Sequence, residues 1–123
     1  MSLPSVSHAQ CFNGVVDSYA ADGASAPTQR STAIGIGAHA NATGYPGGAI
    51  SIGVNSSVTG VGGLGLGTQS SVTAFGGIAL GSAAVANGER SIALGFTARA
   101  EHADSFALGN RVVTTAAGEY RFG

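Results

Sequence analysis

The chain has 123 residues and a net charge of −1, and only 9% of its residues are charged, whereas an ordinary globular domain carries roughly 25%. This length allows one domain at most. Glycine and polar residues interrupt every apolar run well before the roughly 20 residues of a membrane helix, and the few scattered arginines form no basic patch. These features exclude a membrane-inserted segment and a nucleic-acid-binding domain.

Residues 1–30 contain no internal repeat, and we predict that they form a loop or cap leading into the rest of the chain. Pro27 and the small polar residues before it favour a loop. The first ten residues lack the basic and apolar regions of a secretion signal, so we expect a natural chain that is longer, with its export signal and anchor outside this sequence. Cys11 is the single cysteine, and with His8 it makes too small a set for a metal site.

A 14-residue repeat begins at residue 31. A glycine that follows Ile or Leu recurs every 14 residues from Gly53 to Gly109, and an earlier copy at Gly35 is displaced by a four-residue insert at residues 45–48. The copies span residues 31–44, 49–62, 63–76, 77–90 and 91–104, and a sixth begins at residue 105. A fixed period of this kind indicates a solenoid in which each copy forms one coil.

Alternation within each copy predicts two short strands. Positions 2 and 4 carry large side chains in nearly every copy while position 3 is small, so positions 2 and 4 share one face of the first strand. Positions 8 and 10 are Ala, Ser or Val and form the second strand. We expect coils stacked about 4.8 Å apart, with large side chains on one wall meeting small ones on the other. The residues predicted as the core of the roll or of a trimer are Ile34, Ile50, Ile52, Leu64, Leu66, Ile78, Leu80, Ile92, Leu94, Phe106 and Leu108.

Position 5 is glycine in every copy, which is typical of a corner that needs a positive φ or a close backbone approach. These corner glycines are Gly35, Gly53, Gly67, Gly81, Gly95 and Gly109. Residues 60–67, GVGGLGLG, also match the glycine spacing of a dinucleotide-binding loop. That loop needs a preceding strand, a following helix and an acidic residue about 20 residues later. The chain provides none of these, so the stretch is interpreted as a coil boundary and no cofactor is predicted.

Two places in the repeat region are candidate sites. Tyr45 and Pro46 lie on the insert, and inserts in repeat proteins tend to map to a binding face, so we consider them as ligand contacts. Glu101, His102 and Asp104 are metal-ligating residue types, but they occupy one turn of the fifth coil and are interpreted as solvated turn residues. No catalytic arrangement of Ser, His and Asp or of paired carboxylates is found, and we predict that the chain is not an enzyme.

The last 14 residues, 110–123, are predicted to form a C-terminal β extension. Val113, Thr115, Tyr120 and Phe122 alternate around Ala117 and Gly118, which is compatible with one hairpin. A roll as narrow as the one predicted encloses little apolar volume, so we also expect it to bury a face against partner chains.

Residues 76–109, GGIALGSAAVANGERSIALGFTARAEHADSFALG, resemble the head repeats of YadA-like trimeric autotransporter adhesins, with the pattern Ser-x-Ala-Ile/Leu-Gly-x-x-Ala-x-Ala. The resemblance covers residues 31 to about 110. It implies an all-β, left-handed parallel β-roll, three chains around a shared apolar core, and attachment of a bacterial surface fibre to host matrix proteins or cells. The tail does not match the neck of that family and resembles instead β-rich stretches of bacteriophage tail fibres.

Three function classes follow. The first is an adhesin head that binds by avidity, and the second is a segment of a trimeric tail fibre with a structural and receptor-binding role. The third is an acyltransferase on a hexapeptide-repeat β-helix, which a period of 14 excludes. We therefore predict a β-roll head at residues 31–109 that forms a homotrimer at the bacterial cell surface and takes no cofactor.

Overall fold

The computed structural model describes residues 10–12, 15–21, 23–26, 28, 30–44 and 47–123. These residues form strands and turns and no helix, in two sheets that run along the length of a parallel β-solenoid. The nine-stranded sheet is called the wide sheet and the five-stranded sheet the narrow sheet. The predicted all-β solenoid of 14-residue coils is confirmed, while its left-handedness stays a prediction.

The wide sheet collects the first strand of each coil. Its strands, in spatial order, are β1 (Gln10–Phe12), β2 (Val15–Ala21), β3 (Thr32–Ile34), β5 (Ile50–Ile52), β7 (Leu64–Leu66), β9 (Ile78–Leu80), β11 (Ile92–Leu94), β13 (Phe106–Leu108) and β14 (Tyr120–Phe122). The narrow sheet collects the second strand, with β4 (His39–Ala40), β6 (Ser57–Val58), β8 (Ser71–Val72), β10 (Val85–Ala86) and β12 (Arg99–Ala100). All pairings are parallel except that of β1 with β2.

Equal positions of successive coils stack directly on one another. Ile50 pairs with Leu64, which pairs in turn with Ile78, and the small residues Ser51, Gly65 and Ala79 form a matching row. This register explains why the copies vary so little, because each side chain lies between the side chains at the same position of the two neighbouring coils, about 4.8 Å away.

The interior of the roll consists of small side chains. Positions 1, 3, 8 and 10 are buried in every complete coil, and the largest fully buried hydrophobic side chains among the described residues are Val58 and Val72. The side chains at positions 2 and 4 point the other way and are partly exposed, for example Ile50 at 40% and Leu94 at 36%. The expectation that large side chains meet small ones across the inside of one coil is therefore wrong, because the two walls lie too close together to hold Ile or Leu.

The corner glycines at position 5 have φ values from 119° to 135°, in a region that side chains rarely adopt. They are also close to the next coil, since a Cβ on Gly53 would lie 2.5 Å from the carbonyl oxygen of Gly67. Position 7 then takes the left-handed conformation in every coil, in which Asn55, Ala83 and Thr97 have φ values of 56°, 58° and 54°. Each coil thus turns its first corner by two residues with positive φ.

The C-terminal tail continues the solenoid. Val113 bridges in parallel to Arg99, and β14 pairs in parallel with β13 so that Tyr120 and Phe122 stack on Phe106 and Leu108. The hairpin considered for residues 110–123 is therefore wrong. These residues complete the sixth coil and start a seventh.

The strands before residue 31 extend the stack in the other direction. Tyr19 in β2 pairs with Thr32 in β3, and Ser25 bridges to His39 of the narrow sheet. The described part of residues 1–30 thus forms an irregular additional coil. The antiparallel strand β1 is the first described strand of the wide sheet, and a cap formed by residues 1–30 stays a prediction.

Candidate assembly interface

An apolar stripe runs along the outer face of the wide sheet. It comprises the side chains at positions 2 and 4 of strands β3, β5, β7, β9, β11, β13 and β14, which are Thr32, Ile34, Ile50, Ile52, Leu64, Leu66, Ile78, Leu80, Ile92, Leu94, Phe106, Leu108, Tyr120 and Phe122. None of these residues is charged. Contiguous apolar surface of this kind marks an interaction site in soluble proteins.

The stripe ends in an aromatic cluster at the last coil. The ring of Phe106 lies 6.1 Å from that of Tyr120 and 5.9 Å from that of Phe122, measured between centroids. Both C-terminal rings are largely exposed, at 68% for Tyr120 and 71% for Phe122. Tilted contacts at these distances are favourable for aromatic pairs, so the cluster keeps the stripe apolar to its end.

Exposed apolar side chains extend the stripe sideways at position 6. Ile36, Val54 and Phe96 occupy this position on the turn after the wide-sheet strand, and their exposed fractions are 69%, 43% and 52%. The sequence did not predict these exposed side chains, because position 6 is not uniformly apolar and also includes Thr, Ser and Asn. The sequence does not show whether a position-6 side chain is buried or exposed, and the structure is needed to see that these three are exposed.

The opposite face, on the narrow sheet, is mainly polar, with Val85 and Val113 as its apolar residues. Positions 9 and 11 of coils 2 and 3 are Ser57, Thr59, Ser71 and Thr73. The hydroxyl of Thr73 donates to the amide oxygen of Asn87 in the next coil at 2.9 Å. The two outer faces of the roll therefore differ sharply, and this difference favours burial of the wide-sheet face and solvation of the narrow-sheet face.

Charged side chains collect along the last coils and pair with one another. Arg90 binds Asp104 of the next coil through two hydrogen bonds of 2.7 and 2.9 Å and also contacts Glu89. The Arg90 guanidinium, chiefly by its hydrogen bond, holds the pKa of Asp104 below its usual value. A further ion pair joins Arg99 to Glu101. These pairs are half-exposed and contribute little to stability.

The candidate metal-ligating residues do not converge. Glu101 binds Arg99, Asp104 binds Arg90, and His102 has no hydrogen-bond partner for Nδ1 within the described residues. No cluster of three or more His, Cys, Asp or Glu side chains that could hold a metal occurs in the described part of the chain.

The remaining candidate residues cannot be placed. Tyr45 and Pro46, the considered ligand contacts, lie outside the described residues, as do His8 and the side chain of Cys11. The flanking Gly47 and Gly48 have φ values of 78° and 86°, so the chain re-enters the second coil through two left-handed residues. The proposal that the insert contacts a ligand stays a prediction.

Comparison with known proteins supports the repeat. Residues 29–44, 73–98 and 86–111 match the family model of the YadA head domain repeat, and the resemblance seen in the sequence is confirmed. Residues 49–72, which are the second coil and most of the third, fall outside these matches although they share the same register. No curated protein matches the chain. No helix long and apolar enough to cross a membrane occurs among the described residues.

Proposed function

We propose, from the premise that this chain carries YadA head repeats, that it is the head of a trimeric bacterial surface adhesin. In this proposal three chains pack their wide sheets around a common axis, and the trimer attaches the bacterium to host extracellular matrix or cells. The observation that carries the proposal is the apolar stripe, which is uncharged in every coil and faces away from the interior of the chain. The head family is a structural adhesin family, so we propose no catalysis.

The energy available from the stripe is of the right size for assembly. Removing a partly exposed Ile or Leu from water contributes about 1 kcal/mol, so burial of the eleven aliphatic and aromatic residues predicted as core contributes on the order of 10 kcal/mol per chain. Loss of rigid-body freedom on association costs about 4–15 kcal/mol. Burial of the whole stripe is therefore comparable with this cost, whereas burial of one or two coils, about 2–4 kcal/mol, reaches at most its lower limit.

Burial of the stripe leaves the polar narrow sheet as the outer wall of the trimer. Three copies of this wall present the same side chains around the axis, so a ligand with several binding points gains avidity from simultaneous contacts. The low charge of coils 1 to 3 points to recognition by hydrogen bonds and apolar contacts rather than by electrostatic steering. The match to the head repeat supports the proposal that the chain lies at the bacterial cell surface, on a fibre anchored in the outer membrane.

The alternative of a phage tail-fibre segment rested on the C-terminal tail. These residues continue the solenoid as its sixth and seventh coils. The tail is thus β-rich, as the tail-fibre resemblance implies, and the tail fibre stays the alternative prediction.

A solid-phase binding assay tests the proposal. The chain is applied to immobilised collagen, fibronectin and laminin and to cultured animal cells, beside the variant Leu80→Glu, which places a charge in the stripe. We expect binding to at least one of these surfaces, and a loss of about a hundredfold for Leu80→Glu because the monomer has no avidity. The control Val85→Glu adds the same charge to the outer face of the narrow sheet and leaves assembly intact. An assembled chain that binds no matrix protein and no cell would contradict the proposal.

A further inference from the structure

The wide sheet is bordered by two flanks, and both carry apolar side chains that are exposed in the single chain. The first flank follows the wide-sheet strands, at positions 6 and 7 of each coil, and the second flank precedes them, at positions 13 and 14. Ile36 and Phe96 on the first flank are 69% and 52% exposed, and Phe75 on the second flank is 54% exposed. The two flanks thus continue the apolar character of the stripe, one on each side.

The two flanks match in apolar character in the N-terminal coils. Val54 on the first flank and Val61 on the second are seven residues apart in the second coil. They therefore differ in height along the roll by half a coil, which is about 2.4 Å. Val54 is 43% exposed. Residues 31–88 contain no Asp, Glu, Lys or Arg, so contact between the flanks in coils 1 to 3 desolvates no formal charge.

The two flanks are complementary in charge in the C-terminal coils. Arg111 on the first flank is exposed and forms no ion pair with any other described residue. The second flank carries Glu89, Arg90 and Asp104, which together have one net negative charge. The side chain of Asp104 binds Arg90 and remains 53% exposed, and a carboxylate can accept more hydrogen bonds than Arg90 supplies. Arg111 follows Asp104 by seven residues, so these two also differ in height by half a coil.

A ring of three identical chains brings unlike flanks together. When three wide sheets face a common axis, the first flank of each chain meets the second flank of the next chain, and every junction is heterologous. With the chains at equal height, half a coil separates Val54 from Val61 of the next chain, and Arg111 from Asp104 of the next chain. This difference of about 2.4 Å is small beside the length of an arginine side chain.

We propose that the unlike flanks of neighbouring chains bind each other in the trimer, with Arg111 of each chain paired with Asp104 of the next chain. This inference rests on the trimer of the proposed function and adds the surfaces through which its chains touch outside the central core. The charges also select one relative height of the chains. A shift of one coil would place Arg111 beside Arg90 in one direction and beside the uncharged Gly118 in the other, and like charges at an interface are unfavourable.

Thiol cross-linking in a Cys11→Ser background tests the contact between the flanks. The double variant Val54→Cys/Val61→Cys has one thiol on each flank and is treated with bismaleimidoethane, a short thiol cross-linker. We expect a covalent trimer on a denaturing gel, because each junction links two chains and the junctions close a ring. The matched controls are the single variants Val54→Cys and Val61→Cys, which should remain single chains on the gel because like flanks do not meet.

Reversal of one charge tests the pairing of Arg111 with Asp104. Arg111→Glu places two acids together at every junction, and we expect the concentration at which the trimer dissociates to rise by about tenfold or more. The control Arg99→Glu makes the same change on the outer face of the narrow sheet and should leave this concentration unchanged. Equal dissociation of the two variants overturns the pairing.

The results separate this inference from the proposed function. Light scattering coupled to size exclusion first gives the mass of the parent chain and of each cysteine variant. A parent mass of three chains without a covalent trimer of the double variant overturns the inference alone, and so do covalent dimers of a single-cysteine variant. A folded parent that is monomeric at every concentration overturns the proposed trimer together with this inference.

Discussion

Gly67 and Gly81 stack at the same corner of successive coils, so closely that a Cβ on Gly67 would lie 2.5 Å from the carbonyl oxygen of Gly81. The φ of Gly67 is 132°, which an alanine adopts only with strain. We expect Gly67→Ala to lower the free energy of unfolding by about 3–5 kcal/mol, from backbone strain and from separation of the two coils. Chemical denaturation followed by circular dichroism measures this change.

Gly62→Ala is the matched control for this substitution. Gly62 has a φ of 70° and open space around its Cα, so alanine there costs only the left-handed conformation, about 1 kcal/mol. Equal losses for the two variants would show that the close approach of the coils at position 5 has no energetic weight.

Thr97 is strained at position 7 of the fifth coil. It is β-branched, has a φ of 54°, and its hydroxyl has no hydrogen-bond partner among the described residues. We expect Thr97→Ala to stabilise the chain by about 1 kcal/mol, because the previous coil already has Ala83 in this conformation and the variant removes an unpaired buried hydroxyl. The melting temperature, measured by calorimetry, should rise. Thr59→Ala, at an exposed position of ordinary backbone geometry, should change it very little, and a lower melting temperature for Thr97→Ala would refute the argument.

Ala93 and Leu94 test which side of the wide sheet is the interior. Ala93 is fully buried while Leu94 is 36% exposed. We expect Ala93→Leu to destabilise the fold by about 3 kcal/mol or more, since the interior holds no side chain of that size. Leu94→Ala should retain the β-sheet circular dichroism spectrum and weaken only assembly. The reverse pattern would show that positions 2 and 4 face inward.

Glu119 should make stability depend on acid pH. Hydrogen bonds from the amides of Thr115 and Ala116 and the charge of Arg121 hold the pKa of this carboxyl below its usual value, with the Thr115 amide the largest cause. A lowered pKa in the folded state stabilises the fold above the ordinary pKa of about 4.5, and this contribution is lost as the pH falls through the lowered value. We expect the parent to melt above Glu119→Gln at neutral pH, and this difference to shrink below pH 4.5. A difference that stays constant down to pH 2 would contradict this.

The length of the repeat and the parallel stacking of its coils were predictable from the sequence, because equal positions of successive coils lie on one another and keep the same residue type. Gly53 to Gly109 are enough to establish the coil length, and the alternation at positions 2, 3 and 4 establishes which side chains share a face. Alternation alone does not say which face is inside. That choice depends on the distance between the two walls, which admits Val58 and Val72 and excludes Leu80.

The coil before residue 31 and the start of a seventh coil at residue 119 were not predicted, and each has a physical reason. At the C-terminus, Glu119 and Arg121 occupy positions 1 and 3, where the earlier coils have small residues, although Gly123 follows Gly109 at the expected spacing. At the N-terminus, Tyr19 pairs with Thr32 at a spacing of 13 residues, so no fixed period reveals the additional coil. The insert at residues 45–48 lengthens the spacing between the first two coils, but equal positions still pair, Thr32 with Ile50 and Ile34 with Ile52.

The mass of the chain in solution, measured by light scattering coupled to size exclusion during serial dilution, tests most directly the claim that the apolar stripe is an assembly interface. We expect three chains that persist on dilution, and a single folded chain for Leu80→Glu. A parent chain that is folded and monomeric at every concentration would contradict the claim and leave the stripe of the wide sheet without its proposed partner.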